Sequence, residues 1–179
     1  MTNTPFQRIE DFRDVDTLNH YRDWVAEGKD PQSFVDTAAC VGRDHARTPI
    51  LWDDSQNAGF SSGEPWIMIN PNYPEINVEA AEADPNSVLH FYRQLIAYRK
   101  AHKTLVYGET EVLGDASESP IYAYRRWDEQ REFLIVLNFG NEPQVTDLAL
   151  PEGPVSISNY PKPQGTQLAP WEVRVYQLS

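Results

Sequence analysis

The chain has 179 residues, 40% of them hydrophobic and 12% aromatic, which is globular composition with enough apolar material for a real core. Its formal net charge of −12 argues against nucleic acid and anionic membrane as partners, because both repel it. A single cysteine, Cys40, excludes an internal disulfide framework and any Cys-based zinc site, and fits a reducing compartment.

The start, MTNTPFQRIEDF, has no signal-like apolar core, and no window approaches the length of a membrane span, so a cytoplasmic chain with no membrane partner is expected. In DVDTLNHYRDWVAEG, Val15, Leu18, Tyr21 and Val25 recur at helical spacing, and Gly28 is a stop. Asp30 followed by Pro31 reads as a cap and a first helical position, opening a second helix through DPQSFVDTAACVG. From about Gly42 to Ala83 the chain reads as one loop region rich in Pro, Asn, Asp and Trp. Loops of that length inside a compact domain are functional or disordered, and Trp52, Phe60, Trp66 and Tyr73 argue for order.

A further helix is predicted over 85–102, with Asp84 as cap and Val88, Phe91, Tyr92, Leu95 and Ile96 along one side. Beyond Thr104 the pattern changes to short β-rich runs: LVYGETEVL, PIYAYRRW, REFLIVLNF, QVTDLAL, PVSISNY and WEVRVYQL. Turns are expected at 114–120, 128–130, 140–143 and 151–154, and REFLIVLNF, the most continuously apolar run, should be central. The fold class is therefore α+β. N-terminal helices and a long loop occupy 1–103, and an antiparallel β-sandwich-like domain occupies 104–179.

Taken one by one, the polar residues name no reaction. Asp11, Asp14 and Asp16 lack the spacing and glycine of a calcium loop and read as a solvated helix start. His20, His45, His90 and His102 show no metal-ligand spacing, and His90 and His102 read as surface helix residues, so neither metal nor cofactor is implied. Asp53 and Asp54 are adjacent and in extended chain point opposite ways, which favours capping or turn formation over acid/base chemistry. Nucleophile-elbow, P-loop and Rossmann motifs are absent. Arg43 and Arg47 are four apart. In a helix they would share a face; in an irregular turn one could reach a ligand while the other pairs with a carboxylate.

GRDHARTPILWDDSQNAGF, followed by EPWIMINPNYPEINVEAAEADPNSVLHFYRQLIAYRK, closely resembles the C-terminal part of α-amylase-family glycoside hydrolases (glycoside hydrolase family 13). The branch is that of oligo-1,6-glucosidases, α-glucosidases, dextran glucosidases and sucrose isomerases, with a motif running roughly G-R-D-N-[AS]-R-T-P-M-Q-W-D-D, then N-A-G-F, P-W, V-N-P-N-Y and I-N-V. FQRIEDFRDVDTLNHYR, VYG, IYAY and LIVLNF also match, so the resemblance spans about residues 1–140 and weakens beyond. Members are (β/α)₈ barrels of about 250 residues. Their catalytic carboxylates stand upstream of the matched stretch, so no catalytic residue is expected here and the chain alone should be inactive. The resemblance implies that 1–103 holds the loop after the eighth barrel strand and the last barrel helix.

It also implies that Arg43 is similar to an arginine that holds hydroxyls of the terminal glucose, with Arg47, Trp52 and Asp53 as the framework of the loop. The sequence departs from the motif at His45 for Asn and at Ile50-Leu51 for Met-Gln. The implied ligands are short α-glucosides, α-1,6 or α-1,4 linked. The helix at 85–102 packs on the barrel in the family, so its Phe91 and Leu95 are expected to be exposed and to drive self-association. Three other readings stay open: a part of a sucrose isomerase-type enzyme, a part that works with a separate barrel chain, or a stand-alone sugar-binding module using Tyr122, Tyr124 and Trp127 as a platform.

Overall fold

Asp14 starts the first helix. Its carboxylate accepts the backbone N–H of Thr17, which satisfies one donor of the first turn, and α1 runs Val15–Ala26. The computed structural model describes residues 2–114, 119–163 and 165–179. Helix α1 ends where Gly28 takes φ +76, a conformation that glycine alone adopts without strain. Leu18 and Tyr21 pack inward, while Val15 and Val25 face solvent, so the apolar stripe is narrower than the spacing predicts. The second helix, α2 (Pro31–Val41), opens as read: Asp30 accepts from the N–H groups of Gln32 and Ser33, and Pro31 holds the first turn. Its Val35 and Ala38 meet Phe6, Phe12 and Ile67 in one core cluster.

The segment after α2 carries two 3-10 turns, Arg43–Ala46 and Gln56–Gly59. It is not loop throughout. A short helix, α3 (Val78–Ala83), sits where loop was expected, and Asn77 caps it by accepting from Ala80 N–H at 2.7 Å. Asp84 does not cap the next helix. Its side chain accepts from Asn86 N–H and its carbonyl from Ser87 N–H, closing a turn, and α4 (Val88–Ala101) begins later than Pro85.

The chain divides into two compact units, Met1–Ser87 and Val88–Ser179. The strand pattern alone suggests a division after residue 103. The compact units divide after Ser87 because Phe91, Leu95 and Tyr98 of α4 pack on the sheet that follows. Phe91 and Leu95 are thus half-buried against the sheet, correcting the expected exposure. The exposed apolar residues of α4 are Val88, Tyr92 and Ile96, at 80%, 62% and 43%.

Within the second unit, Leu105–Tyr107 is also not strand: α5 (Thr104–Tyr107) makes one helical turn before β1 (Glu109–Leu113). Next come β2 (Ile121–Trp127), β3 (Glu132–Asn138), β4 (Gln144–Val145), β5 (Ile157–Ser158), β6 (Gln167–Leu168) and β7 (Val173–Gln177). The main antiparallel sheet has the order β1-β2-β3-β7-β5, and β4 pairs with β6 in a second, two-stranded sheet. β3 is central, as its continuous apolar run predicts, and both of its faces are buried. Phe133 and Ile135 face the cluster that α4 covers, whereas Leu134 and Val136 join Leu168 of β6 on the other side. This arrangement is α+β with a sandwich-like second unit. Residues 115–118, within the turn expected at 114–120, lie outside the described residues.

Candidate functional site

Three charged side chains organise the turn after α2. Asp44 is fully buried, and its Oδ2 accepts the backbone N–H groups of Arg13 and Asp14 at 2.6 and 2.9 Å. Its Oδ1 lies 3.1 Å from Arg47 Nη1, which also donates to Asp14 Oδ1 at 2.6 Å. Asp14 in turn caps α1. One guanidinium therefore ties the start of α1 to the turn at Arg43–Ala46, and two buried carboxylates share its charge. The hydrogen bond from Arg47, followed by that from Thr17 N–H, holds the Asp14 carboxyl at about 2 against the opposing effect of burial. Arg47 is correspondingly raised above its ordinary value, first through its bond to Asp14.

Arg43 is left facing outward. Its side chain is 66% exposed and pairs with Asp16 of α1, with Nη2 to Oδ2 at 3.0 Å. Asp16 also stands 3.9 Å from His20. Of the two arrangements open to the arginine pair, the irregular one is present: Arg47 is neutralised within the fold, and Arg43 is largely exposed with a surface pair to Asp16. The three aspartates of the segment differ in kind. Asp16 is solvated as expected, but Asp14 is buried and ion-paired, and Asp11 accepts from the N–H groups of Gln7 and Arg8.

The second turn carries Trp52 and Asp53. Asn57, Ala58 and Gly59 are three successive residues in the left-handed region, at φ 55, 55 and 64. For a buried alanine that is a strained conformation. It turns the Ala58 carbonyl onto the Trp52 N–H at 2.8 Å, and Glu79 N–H donates to the Trp52 carbonyl at 2.9 Å. The backbone of Trp52 is thereby fixed on both sides while the residue stays 47% exposed. Asp53 accepts from the backbone and hydroxyl of Ser55, and the hydroxyl bond chiefly lowers its pKa. A Cβ at Gly59 would lie 2.5 Å from Asp53 Oδ2. Of the two roles read for Asp53, capping or turn formation, it performs the second: it closes a turn on Ser55 and caps no helix.

Three residues of this site escape a reading of the sequence: Asp14, Asp16 and Asp44. The pairs Asp14–Arg47 and Asp16–Arg43 are 33 and 27 residues apart, so no local spacing announces them. His45 lies between Thr4 N–H and the Ala39 carbonyl, and His102, read as a surface residue, is half-buried with its ring 5.3 Å from that of Phe133. In β2, Tyr122 and Tyr124 share a face, with ring centroids 5.7 Å apart. Trp127, an odd number of residues on, lies on the other face beside Arg125, so the three form no single platform. Among the described residues no cluster of ligating side chains could hold a metal, and no helix is long and apolar enough to cross a membrane.

The model of the alpha amylase catalytic domain matches residues 12–108, more than half of the chain and the whole of the segment carrying Arg43, Arg47, Trp52 and Asp53. The chain belongs to the α-amylase family. It is 44% identical to the oligo-1,6-glucosidase of Parageobacillus thermoglucosidasius, over 99% of this chain and 33% of that enzyme. It is 38% identical to the glucan 1,6-alpha-glucosidase of Streptococcus pneumoniae, over 99% of this chain and 34% of the other. The isomaltulose synthase of Klebsiella sp. LX3 superposes with a TM-score of 0.90 at 36% identity, covering 99% of this chain and 33% of that one. The α-amylase-family chain described here spans about a third of the length of each.

Proposed function

We propose that residues 1–87 form part of the rim of a glucose pocket in an α-glucosidase-type glycoside hydrolase acting on short α-glucosides, with α-1,6 linkages first and α-1,4 second. The observation that carries the reading is Arg43: a side chain two-thirds exposed, one guanidinium nitrogen on Asp16, on a turn that Arg47, Asp14 and Asp44 fix. A planar fork of donors suits adjacent sugar hydroxyls. The names of two relatives, both 1,6-glucosidases, support the linkage.

Retaining hydrolysis needs two carboxylates flanking the scissile bond. Asp14 and Asp44 are committed to Arg47 and Asp53 to Ser55, so none is free to attack an anomeric carbon. We therefore assign bond breaking to residues outside these 179 and positioning of the terminal glucose to Arg43. A cytoplasmic location belongs to the same proposal, and so does self-association through Val88, Tyr92 and Ile96 of α4. The test uses a chimera in which this chain replaces the matching third of the Parageobacillus thermoglucosidasius enzyme. The chain alone should release no nitrophenol from an aryl α-glucoside, and the chimera should hydrolyse isomaltose. Turnover by the chain alone, in a preparation free of host glucosidase, would overturn the assignment.

A further inference from the structure

His45 occupies the same 3-10 turn as Arg43, and both of its ring nitrogens are engaged. Nε2 lies 2.8 Å from the Ala39 carbonyl, which can only accept, so Nε2 carries a proton. Nδ1 lies 3.1 Å from the backbone nitrogen of Thr4, which can only donate, so Nδ1 carries none. The two bonds together require the neutral ring in one tautomer. Through them the turn is fastened to the end of α2 on one side and to the segment before Phe6 on the other, with the Phe6 ring stacked on the imidazole at 5.2 Å. Thr4 is itself buried, so its N–H has little access to water if the imidazole is lost as an acceptor.

We infer that His45 is a positioning residue for Arg43, a latch that holds the arginine-bearing turn only while the imidazole is neutral. This rests on the reading of Arg43 as a sugar contact. Protonation places a hydrogen on Nδ1 facing the Thr4 N–H, so that bond must break and the ring must turn or withdraw. The charged and titratable groups on the elements holding the ring are Asp36 and Cys40 of α2 and Arg43, Asp44 and Arg47 of the turn; Thr2–Phe6 contributes none. Asp44 and Arg47 are spent on each other and on Asp14, Arg43 on Asp16, and Asp36 on Gln32. None of those bonds reaches the imidazole to hold a second proton in place. The family motif has Asn at this position. An Asn side chain carries an oxygen that accepts without titrating, so the acid sensitivity of the latch is tied to the histidine.

The experiment uses the ¹⁵N-labelled chain with His45→Asn and His45→Ala. At pH 8 the imidazole signals should report a protonated Nε2 and a bare Nδ1. At pH 5 the amides of Thr4 and Arg47, the latter closing the turn on the Asp44 carbonyl, should exchange about tenfold faster in the native chain than in His45→Asn, and equally at pH 8. His45→Ala should exchange fast at both. A proton on Nδ1 at pH 8, equal exchange in the native chain and His45→Asn at pH 5, or a change confined to Thr4 would overturn the inference. Isomaltose titrated at pH 8 separates the two readings. Absent binding there, in the chimera as in the chain, overturns the sugar role of Arg43, while the amide result still decides whether His45 holds the turn.

Discussion

Arg47 and Asp14, 33 residues apart in sequence, meet at 2.6 Å, and this one contact joins the cap of α1 to the turn that carries Arg43. Asp14 is 6% exposed, so the pair sits at the edge of the core, where a charge-assisted bond fixes geometry.

The pH dependence of the first unit follows from that contact. The carboxyl of Asp14 is held at about 2 against an ordinary 3.8, chiefly by Arg47. A depressed carboxyl stabilises the fold fully above its unfolded value and loses that stabilisation as pH falls through the folded one. The native chain should therefore melt higher than Asp14→Asn at pH 6, and the difference should close between about pH 4 and about pH 2. Melting curves of the two proteins across that range provide the check, and a gap that persists at the acid end would remove Arg47 as its cause.

Gly59 is fixed by two conditions at once: φ +64 and the Asp53 carboxylate where a Cβ would stand. Gly59→Ala should destabilise the first unit by about 1–3 kcal/mol, from the left-handed backbone and the displaced Asp53 together. Gly28 also has positive φ but open space around it, so Gly28→Ala should cost less, about 1 kcal/mol. Denaturant unfolding of both variants tests the ordering.

Association should depend on α4. Val88, Tyr92 and Ile96 recur every four residues and form an exposed apolar stripe on one side of the helix. The native chain should run larger than a monomer by light scattering at high concentration, and Ile96→Lys should return it to monomer without lowering its melting temperature. A native monomer at every concentration would count against the stripe.

How much of this is legible without coordinates depends on the range of the interactions. Asp30-Pro31, Gly28 and the run REFLIVLNF act through their own neighbours, and the elements they specify are present with close to the expected limits. Leu105–Tyr107 reads as strand from its β-branched and aromatic residues but makes a helical turn. There Gly108 N–H donates to the Thr104 carbonyl, and the Thr104 hydroxyl reaches Asp128, 24 residues on. Asp14 and Asp44 fail for the same reason. A carboxylate near a helix start is solvated or buried according to what the distant chain brings to it, and here that is Arg47. The motif around Arg43 is legible as a resemblance; its partner Asp16, 27 residues away, is not.

The central claim is that Arg43 positions the terminal glucose, and the steady-state kinetics of the isomaltose-hydrolysing chimera test it directly. Arg43→Ala should lower kcat/KM at least about tenfold, the effect of losing one charged hydrogen bond to a hydroxyl, and Arg43→Lys should recover little because a point charge cannot form the fork. Arg43→Ala should leave the melting temperature nearly unchanged, since the side chain is 66% exposed and its pair with Asp16 lies at the surface. A kcat/KM within twofold of the parent chimera would contradict the account and make Arg43 part of the loop's framework.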